Sequence, residues 1–300
     1  MTTFEPERRS SGERSERVET AEIGIIGGSG LYRFLTDAEE HPVDTPYGPP
    51  SAPLTVGTVA GRRVAFLPRH GVDHSLPPHR VNYRANLWAL RHVGVRQVLA
   101  PCAVGSLRPE LGPGTLVVPD QVVDRTWGRE HTFVDVGSVA HVGFADPYCP
   151  RGRAAVLDAA RRSEPSRRSS GVETVADGGT MVVINGPRFS SRAESAWHAA
   201  QGWSVVGMTG VPEASLAREL ALCYTSLAMV TDHDAGIEGE AGVAAVSHAD
   251  VLQVFAANIE RLRTVLVDAV AALPVDAGDV AETCPCRRAM DDFTSIAGWL

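Results

Sequence analysis

The sequence has 300 residues, 44% of them hydrophobic, which is enough for one large domain with a buried core. Its formal net charge of −8 disfavours a nucleic-acid-binding protein, because nucleic-acid-binding surfaces are usually basic. The sequence has no apolar run of about 18 residues, and its first twenty residues lack the apolar centre of a secretory signal, so we expect a cytoplasmic protein without a membrane segment.

The chain begins with a polar segment, residues 1–20, that predicts a mobile tail. Three isoleucines within residues 23–26 then lead into Gly27-Gly28-Ser29-Gly30, which predicts a buried strand opening into a tight turn. The backbone N–H groups of such a turn, together with the Ser29 hydroxyl, can surround an anion. The spacing fits neither the dinucleotide fingerprint nor the P-loop, so a glycine turn that only closes the strand is an equal alternative.

Strands and helices alternate along the rest of the chain. Strands are predicted at residues 54–60, 63–67, 97–100, 115–118, 180–185, 204–206 and 223–230. Helices are predicted at residues 82–92, 151–163 and 193–201, from Pro212 onward, and from Ser247 to about Leu273. This order predicts an α/β fold: a single domain, residues 21–273, with a central mixed, mostly parallel sheet flanked by helices. Residues 274–300 are expected to be a C-terminal extension.

The five cysteines do not indicate a disulfide framework, because their number is odd and their spacing irregular. Cys284-Pro285-Cys286 could form a redox pair or contribute to a metal site. No second paired-cysteine motif completes such a site, so we expect no bound metal. A reducing compartment is the simplest expectation for these thiols.

Five predicted strands end in glycine combined with serine, threonine, arginine, histidine or aspartate. Since the carboxyl ends of strands form the ligand crevice of open α/β sheets, we expect these ends to lie together. Four of them carry side chains that can donate hydrogen bonds to an anion: Ser29, Arg69 with His70, Ser106, and Thr209. The fifth carries two carboxylates, Asp232 and Asp234. This combination suits a reaction in which phosphate meets a leaving group that needs a proton.

Each of these features also has a simpler interpretation. Arg69 and His70 could form a surface pair at the end of a hairpin. Asp232 and Asp234 could serve an Asx-turn or a helix N-cap. Phe189 could be an ordinary core residue, and these alternatives stay open at this point.

The motifs in sequence order are similar to those of one family. They are Gly27-Gly28-Ser29-Gly30-Leu31, Asp44-Thr45-Pro46-Tyr47-Gly48, Arg69-His70-Gly71, Asn82-Tyr83-Arg84-Ala85-Asn86, Gly186-Pro187-Arg188-Phe189-Ser190-Ser191-Arg192-Ala193-Glu194, Met208-Thr209 with Pro212-Glu213, and Thr231-Asp232-His233-Asp234. From about residue 22 to residue 273 the chain resembles the 5′-methylthioadenosine phosphorylases of the trimeric purine nucleoside phosphorylase superfamily. The resemblance implies that phosphate displaces adenine from a 5′-modified adenosine, giving adenine and a pentose 1-phosphate. It also implies a homotrimer that needs phosphate as co-substrate and no cofactor.

The resemblance also implies a role for particular residues. The expected phosphate ligands are Ser29, Arg69, His70, Cys102, Ala103 and Thr209. The expected substrate contacts are Phe189, Ser190, Met208, His141, His248, Val251 and Leu252, with His141 reaching a neighbouring subunit. The expected catalytic residues are Asp232 and Asp234. A protonated Asp232 can donate to N7 and an ionised one can accept from the 6-amino group, whereas asparagine would suit a 6-oxopurine.

Three departures from the family pattern leave the substrate open. Cys102 replaces the usual threonine, Gly207 replaces a frequent asparagine, and His248 stands where a small apolar residue usually faces the 5′-methylthio group. The alternatives are a specialised phosphorylase of 5′-fluoro- or 5′-chloro-5′-deoxyadenosine and a general purine nucleoside phosphorylase. A nucleotide-binding oxidoreductase is disfavoured, because the third fingerprint glycine and the ribose-binding acid are missing. A purine-binding protein without activity is disfavoured by the complete set of anion donors.

Overall fold

The computed structural model describes residues 21–28, 31, 35–134, 139–164, 174–236, 248–274 and 284–293, without the side chains of residues 236 and 248–250. The strands are β1 Ile23–Gly27, β2 Thr36–His41, β3 Leu54–Val59, β4 Arg62–Pro68, β5 Gln97–Ser106, β6 Leu116–Val118, β7 Gln121–Arg125, β8 Val175–Asp177, β9 Thr180–Ile184, β10 Val205–Gly207 and β11 Cys223–His233. The helices are α1 Tyr83–His92, α2 Pro150–Arg162, α3 Arg192–Ala200, α4 Gly210–Glu219 and α5 His248–Ala272. Short 3₁₀ helices cover Pro78–Arg80, Asp234–Gly236, Pro285–Arg288 and Asp291–Phe293.

These strands form one branched sheet around β5. The main path is β2-β3-β4-β1-β5-β10-β9-β7, and β11 pairs along the length of β5 before leading to β6 and β8. Six of the ten described strand pairs are parallel, which confirms the predicted mixed, mostly parallel sheet. Because β1 pairs with the first half of β5 and β10 with its end, the sheet divides near the carboxyl ends of β5 and β11.

Helices cover both faces of the sheet. Leu87 of α1 and Leu216 of α4 pack in one buried cluster, and Val156 of α2 and Leu262 of α5 pack in another. The apolar side of each of these four helices therefore packs together with strand residues, as the helical periodicity predicts. Within the described ranges, no helix is both long enough and apolar enough to cross a membrane.

The two strands that carry most of the site are longer than predicted. β5 continues through Ser106 instead of ending at residue 100, and β11 continues through His233 instead of ending at residue 230. Pro101 is tolerated inside β5 because the pairing of β5 with β1 ends at Leu99. On that side the carbonyl of Pro101 accepts a hydrogen bond from Arg69 instead. The N–H that proline lacks is therefore not needed for the sheet.

Three strands were not predicted: β2, β7 and the three-residue β8. β2 is an edge strand whose residues are almost entirely exposed, and β7 is polar with little buried surface. Neither sequence alternates between apolar and polar residues, so the usual signal of a strand is missing. Both segments become strands because a neighbouring strand offers backbone hydrogen bonds.

Candidate functional site

A cavity of about 890 Å³ opens where the sheet divides, at the carboxyl ends of β4, β5 and β11. Most of the predicted site residues line it: Arg69, His70, Cys102, Ala103, Phe189, Met208, Thr209, Asp232, Asp234, Val251 and Leu252. The tertiary structure therefore brings together residues that are up to 183 positions apart, from residue 69 to residue 252. Their individual roles stay predictions at this stage.

Two predicted site residues are not among those that line the cavity of this single chain, and two more lie outside the described residues. Ser190 is buried, and its hydroxyl has no hydrogen-bond partner among the described residues. His141 is exposed at the protein surface. Ser29 and the side chain of His248 lie outside the described part of the chain.

Two carboxylates form one end of the cavity. Asp232 accepts a hydrogen bond of 2.7 Å from the Thr231 hydroxyl, and Asp234 is buried with Oδ2 unpartnered among the described atoms. Burial raises the pKa of Asp232 to about 6, helped by the charge of Asp234 and opposed by the hydrogen bond from Thr231. Near neutral pH, Asp232 can therefore hold or release a proton, as a general acid must.

Gly105 on β5 makes room for this pair. A methyl group at Gly105 would lie 3.0 Å from Oδ1 of Asp232 and 3.1 Å from Cβ of Asp234. Both contacts are shorter than ordinary van der Waals separations, so a larger residue would displace the carboxylates. The glycine in this predicted polar stretch thus allows β11 to bring its acids close to β5.

A buried ion pair anchors Arg69, which lines another part of the cavity. Arg69 donates to both carboxylate oxygens of Glu213 at 2.5 and 3.0 Å, and to the carbonyls of Pro101 and Ile26 at 3.1 and 3.0 Å. Burial alone would lower the pKa of Arg69, but the charge of Glu213 and its hydrogen bonds outweigh that effect and raise it. Arg69 is 3% exposed, so the alternative of a surface pair at a hairpin end is wrong for this residue.

The pairing of Glu213 was not predicted from the sequence. Glu213 lies in the first turn of α4, where it is a fully buried partner of Arg69 and also accepts from the Tyr224 hydroxyl at 2.9 Å. The available signal was an acid surrounded by apolar residues, Val211 and Ala214 among them, where an unpaired charge would be costly.

His70 is held in one neutral tautomer. Its Nδ1 lies 2.8 Å from the carbonyl oxygen of Leu76, which can only accept, so Nδ1 carries the proton. Burial lowers the pKa of His70 to about 4, with a further contribution from the neighbouring charge of Arg69. Its Nε2 is therefore a hydrogen-bond acceptor near neutral pH.

Arg129 connects loops that border the cavity, and the sequence did not identify it. Its guanidinium donates to the carbonyls of Asn185 and Met208 at 2.8 and 2.9 Å and to that of Val211 at 2.6 Å. It thereby joins the end of β9 to the loop that carries Met208. A lone arginine in a polar segment gives no sequence signal for such a role.

Four cysteines meet elsewhere in the fold. Cys149, Cys223, Cys284 and Cys286 are all buried, and their sulfur atoms lie within 4.8 Å of one another. The sequence has no second paired-cysteine motif, and the two cysteines that join Cys284 and Cys286 are instead single residues from separate parts of the chain. The chain positions of Cys149 and Cys223 gave no indication of this, because only the packing of α2 against β11 brings them together.

Sequence comparison relates this chain to phosphorylases. The profile of the phosphorylase superfamily matches residues 22–271. A purine nucleoside phosphorylase of Streptomyces coelicolor is 65% identical over 278 residues, 90% of this chain and 94% of the relative. An S-methyl-5′-thioadenosine phosphorylase of Mycolicibacterium smegmatis is 58% identical over 255 residues, 85% of this chain and 92% of the relative.

Solved structures agree with the sequence relatives. A methylthioadenosine phosphorylase of Schistosoma mansoni in complex with adenine superimposes with a TM-score of 0.81 at 39% identity, covering 93% of this chain and 100% of that one. A variant of the adenosine/methylthioadenosine phosphorylase of the same organism, in complex with methylthioadenosine, gives a TM-score of 0.80 at 38% identity, covering 92% and 98%.

Proposed function

The chain belongs to the phosphorylase superfamily, and from this premise we propose that it catalyses phosphorolysis of a 5′-deoxy-5′-modified adenosine, 5′-methylthioadenosine first among them. The products are adenine and a 5-modified ribose 1-phosphate. The observation that carries this proposal is one cavity lined both by the carboxylates Asp232 and Asp234 and by Arg69, His70 and Thr209. The relatives named for methylthioadenosine phosphorylase support the choice of substrate.

The acid end of the cavity fits the purine. In the transition state, positive charge develops on the ribose and negative charge on the leaving base. Protonated Asp232 donates to N7, and the unpartnered Oδ2 of Asp234 offers an acceptor to the base edge. Phe189, 38% exposed at the cavity, packs against the base, with Ser190 nearby, and Met208 lies beneath the sugar.

The part of the cavity lined by Arg69 fits inorganic phosphate, the co-substrate. Arg69 supplies a fixed positive charge, and Thr209 and the Cys102-Ala103 segment line the same cavity. Neutral His70 accepts, at Nε2, a hydrogen bond from the P–OH group of the phosphate dianion. Ser29 completes the anion site from the glycine turn. We propose that the enzyme uses no cofactor, because phosphate and carboxylate supply the charges that the reaction needs.

The 5′ end of the substrate lies beside α5. Val251 and Leu252 line the cavity there, and Leu252 is 54% exposed, which suits an apolar 5′-methylthio group. His248 begins the same helix, one turn earlier, and on sequence grounds supplies a donor that suits a 5′-hydroxyl or a 5′-halogen. This histidine, together with the purine nucleoside phosphorylase of Streptomyces coelicolor, favours a second candidate function, phosphorolysis of nucleosides with an unmodified 5′ end.

We propose that the enzyme is a cytoplasmic homotrimer. Trp127 and Val139, which precede His141 in the chain, are large apolar side chains that are exposed in the single chain. Exposed apolar side chains of this kind suit a subunit interface, from which His141 would reach the 5′ group of a neighbouring site. The domain itself comprises residues 21–273, between the N-terminal tail and the C-terminal extension, and the superfamily profile supports these limits.

The first test is release of the base from four nucleosides with and without phosphate. We expect adenine release from 5′-methylthioadenosine, 5′-fluoro-5′-deoxyadenosine and adenosine to require phosphate, with methylthioadenosine fastest. Hypoxanthine release from inosine should be slow, because an acid at position 232 favours the 6-amino group. Release that is equally fast without phosphate would mean a hydrolase and would overturn the assignment of the anion site.

The second test isolates the 5′ end. In His248→Val we expect kcat/KM for adenosine relative to methylthioadenosine to fall about tenfold, the value of one lost hydrogen bond of about 1.4 kcal/mol. The base and the phosphate are the same in both substrates, so their contributions cancel in the ratio. An unchanged ratio would exclude His248 as the residue that selects the 5′ substituent.

A further inference from the structure

Four cysteines from three distant parts of the chain meet in the interior. Cys149 is the N-cap residue of α2, Cys223 is the first residue of β11, and Cys284 and Cys286 lie at the 3₁₀ helix Pro285–Arg288. Each is at most 8% exposed. The sulfur of Cys284 lies 3.5 Å from that of Cys223 and 3.8 Å from that of Cys149.

These distances match the edges of a small tetrahedron. A tetrahedral zinc ion with Zn–S bonds of about 2.3 Å holds its sulfurs about 3.8 Å apart. All four sulfurs lie within 4.8 Å of one another, so one central ion can reach each of them after small side-chain adjustments. The separations are far longer than a disulfide bond of about 2.05 Å.

We propose that Cys149, Cys223, Cys284 and Cys286 bind one zinc ion as a structural tetrathiolate site. Each sulfur provides an electron pair to the metal, and binding releases the proton of each thiol that was not already ionised. The step consumes no oxidant. The alternative pairing into disulfides would need an acceptor for two electrons per bond.

The surroundings of the cluster stabilise ionised cysteine side chains and hold them in position. Cys149 stands at the N-terminal end of α2, where the helix dipole stabilises negative charge. The N–H of Cys149 donates to the carbonyl of Tyr224 at 2.8 Å, which fixes it beside the start of β11. Gly152 permits this approach, because a Cβ there would collide with the Thr225 hydroxyl.

The position of the cluster indicates a structural role. Cys223 and Asp232 lie at opposite ends of β11, nine residues apart, which corresponds to about 30 Å of strand. A metal at Cys223 is therefore remote from the proposed reaction centre. It would hold residues 284–293 on the core of the domain, since Cys284 and Cys286 are the two buried anchors at the start of that segment.

The test is the metal content of the full chain. Protein produced with zinc in the medium and dialysed against a weak chelator should contain one zinc per chain by elemental analysis. Cys149→Ser and Cys286→Ser should each lose most of it. Cys102→Ser is the matched control, since Cys102 lies in the cavity and outside the cluster, and it should keep its zinc.

Two further measurements use the wild-type chain and so do not depend on whether a variant folds. Cobalt added to metal-depleted wild-type chain should produce thiolate charge-transfer absorption and the visible bands of a tetrahedral ion, saturating at one equivalent. After acid removal of the metal, the intact mass without reductant should be that of the chain with all five cysteines as thiols. A metal-free chain that binds no cobalt, a mass two hydrogens lower for each pair, or full zinc content in Cys286→Ser would overturn the site.

Discussion

Replacing Asp232 with asparagine is expected to lower kcat for adenine release by about 10²–10⁴-fold, the usual contribution of a general acid. Asparagine has almost the same shape and can still accept the hydrogen bond from Thr231, so the fold should be kept. It can also donate to a 6-oxo group, so hypoxanthine release relative to adenine release should rise. Steady-state kinetics with methylthioadenosine and inosine measure both effects.

The pH dependence of the wild type provides a second measure of the same group. Asp232 has a pKa of about 6, so roughly one tenth of it is protonated at pH 7. If the protonated form acts, kcat/KM should fall about tenfold per pH unit above pH 6, and the asparagine variant should lack this dependence.

Asp37→Asn makes the same chemical change on the exposed edge strand β2 and should leave both rate and pH profile unaltered. Thermal unfolding of both variants separates loss of chemistry from loss of fold. Wild-type turnover and base preference in Asp232→Asn would show that the acid is assigned to the wrong residue.

The second large effect is expected at the buried ion pair. In Glu213→Gln the guanidinium of Arg69 remains buried without its anion, which should cost about 3–5 kcal/mol of unfolding free energy. The same change should weaken phosphate-dependent activity, because Arg69 loses the bidentate partner that fixes it on the cavity wall. Denaturant unfolding and the KM for phosphate measure the two consequences.

Glu219→Gln is the matched control for this variant. Glu219 is also buried, but its partners are neutral donors, the Thr132 hydroxyl at 2.7 Å and the Phe133 N–H at 2.6 Å. Burial raises the pKa of Glu219, so neutralising it should cost much less than neutralising Glu213.

Added phosphate should separate the two glutamine variants further. Phosphate stabilises the folded chain more strongly the more tightly it binds, so the weakened site of Glu213→Gln should be stabilised less by phosphate than the wild type, and Glu219→Gln as much as the wild type. Equal stability of the two glutamine variants, with no difference in their response to phosphate, would contradict the importance of the Arg69–Glu213 pair.

The sequence by itself determined the fold class and most of the cavity lining. Hydrophobic periodicity indicated alternating strands and helices, and the rule that ligands bind at the carboxyl ends of strands placed Arg69, Thr209 and Asp232 together. These are local properties of the chain, carried by side-chain type and short-range spacing. The structure places all three around one cavity.

Strand ends and edge strands depended on tertiary contacts. The polar residues of β2 and β7 form strands only because a neighbouring strand offers hydrogen bonds, and β5 can include Pro101 because its pairing with β1 ends at Leu99. No local pattern encodes such pairing. For the same reason the sequence placed the acids after β11, whereas Asp232 lies within it.

Only the tertiary structure decided which residues are partners over long separations. Arg69 and Glu213 are 144 positions apart, and their pairing follows from where β4 and α4 meet. Cys149, Cys223 and the Cys284-Cys286 pair come together because α2 packs on β11 and the C-terminal segment returns to them. The sequence specifies which side chains are apolar and favour burial. Which buried polar groups become partners is set by the packing of whole elements, because burying a polar group is favourable only when it finds a hydrogen-bond or ion-pair partner.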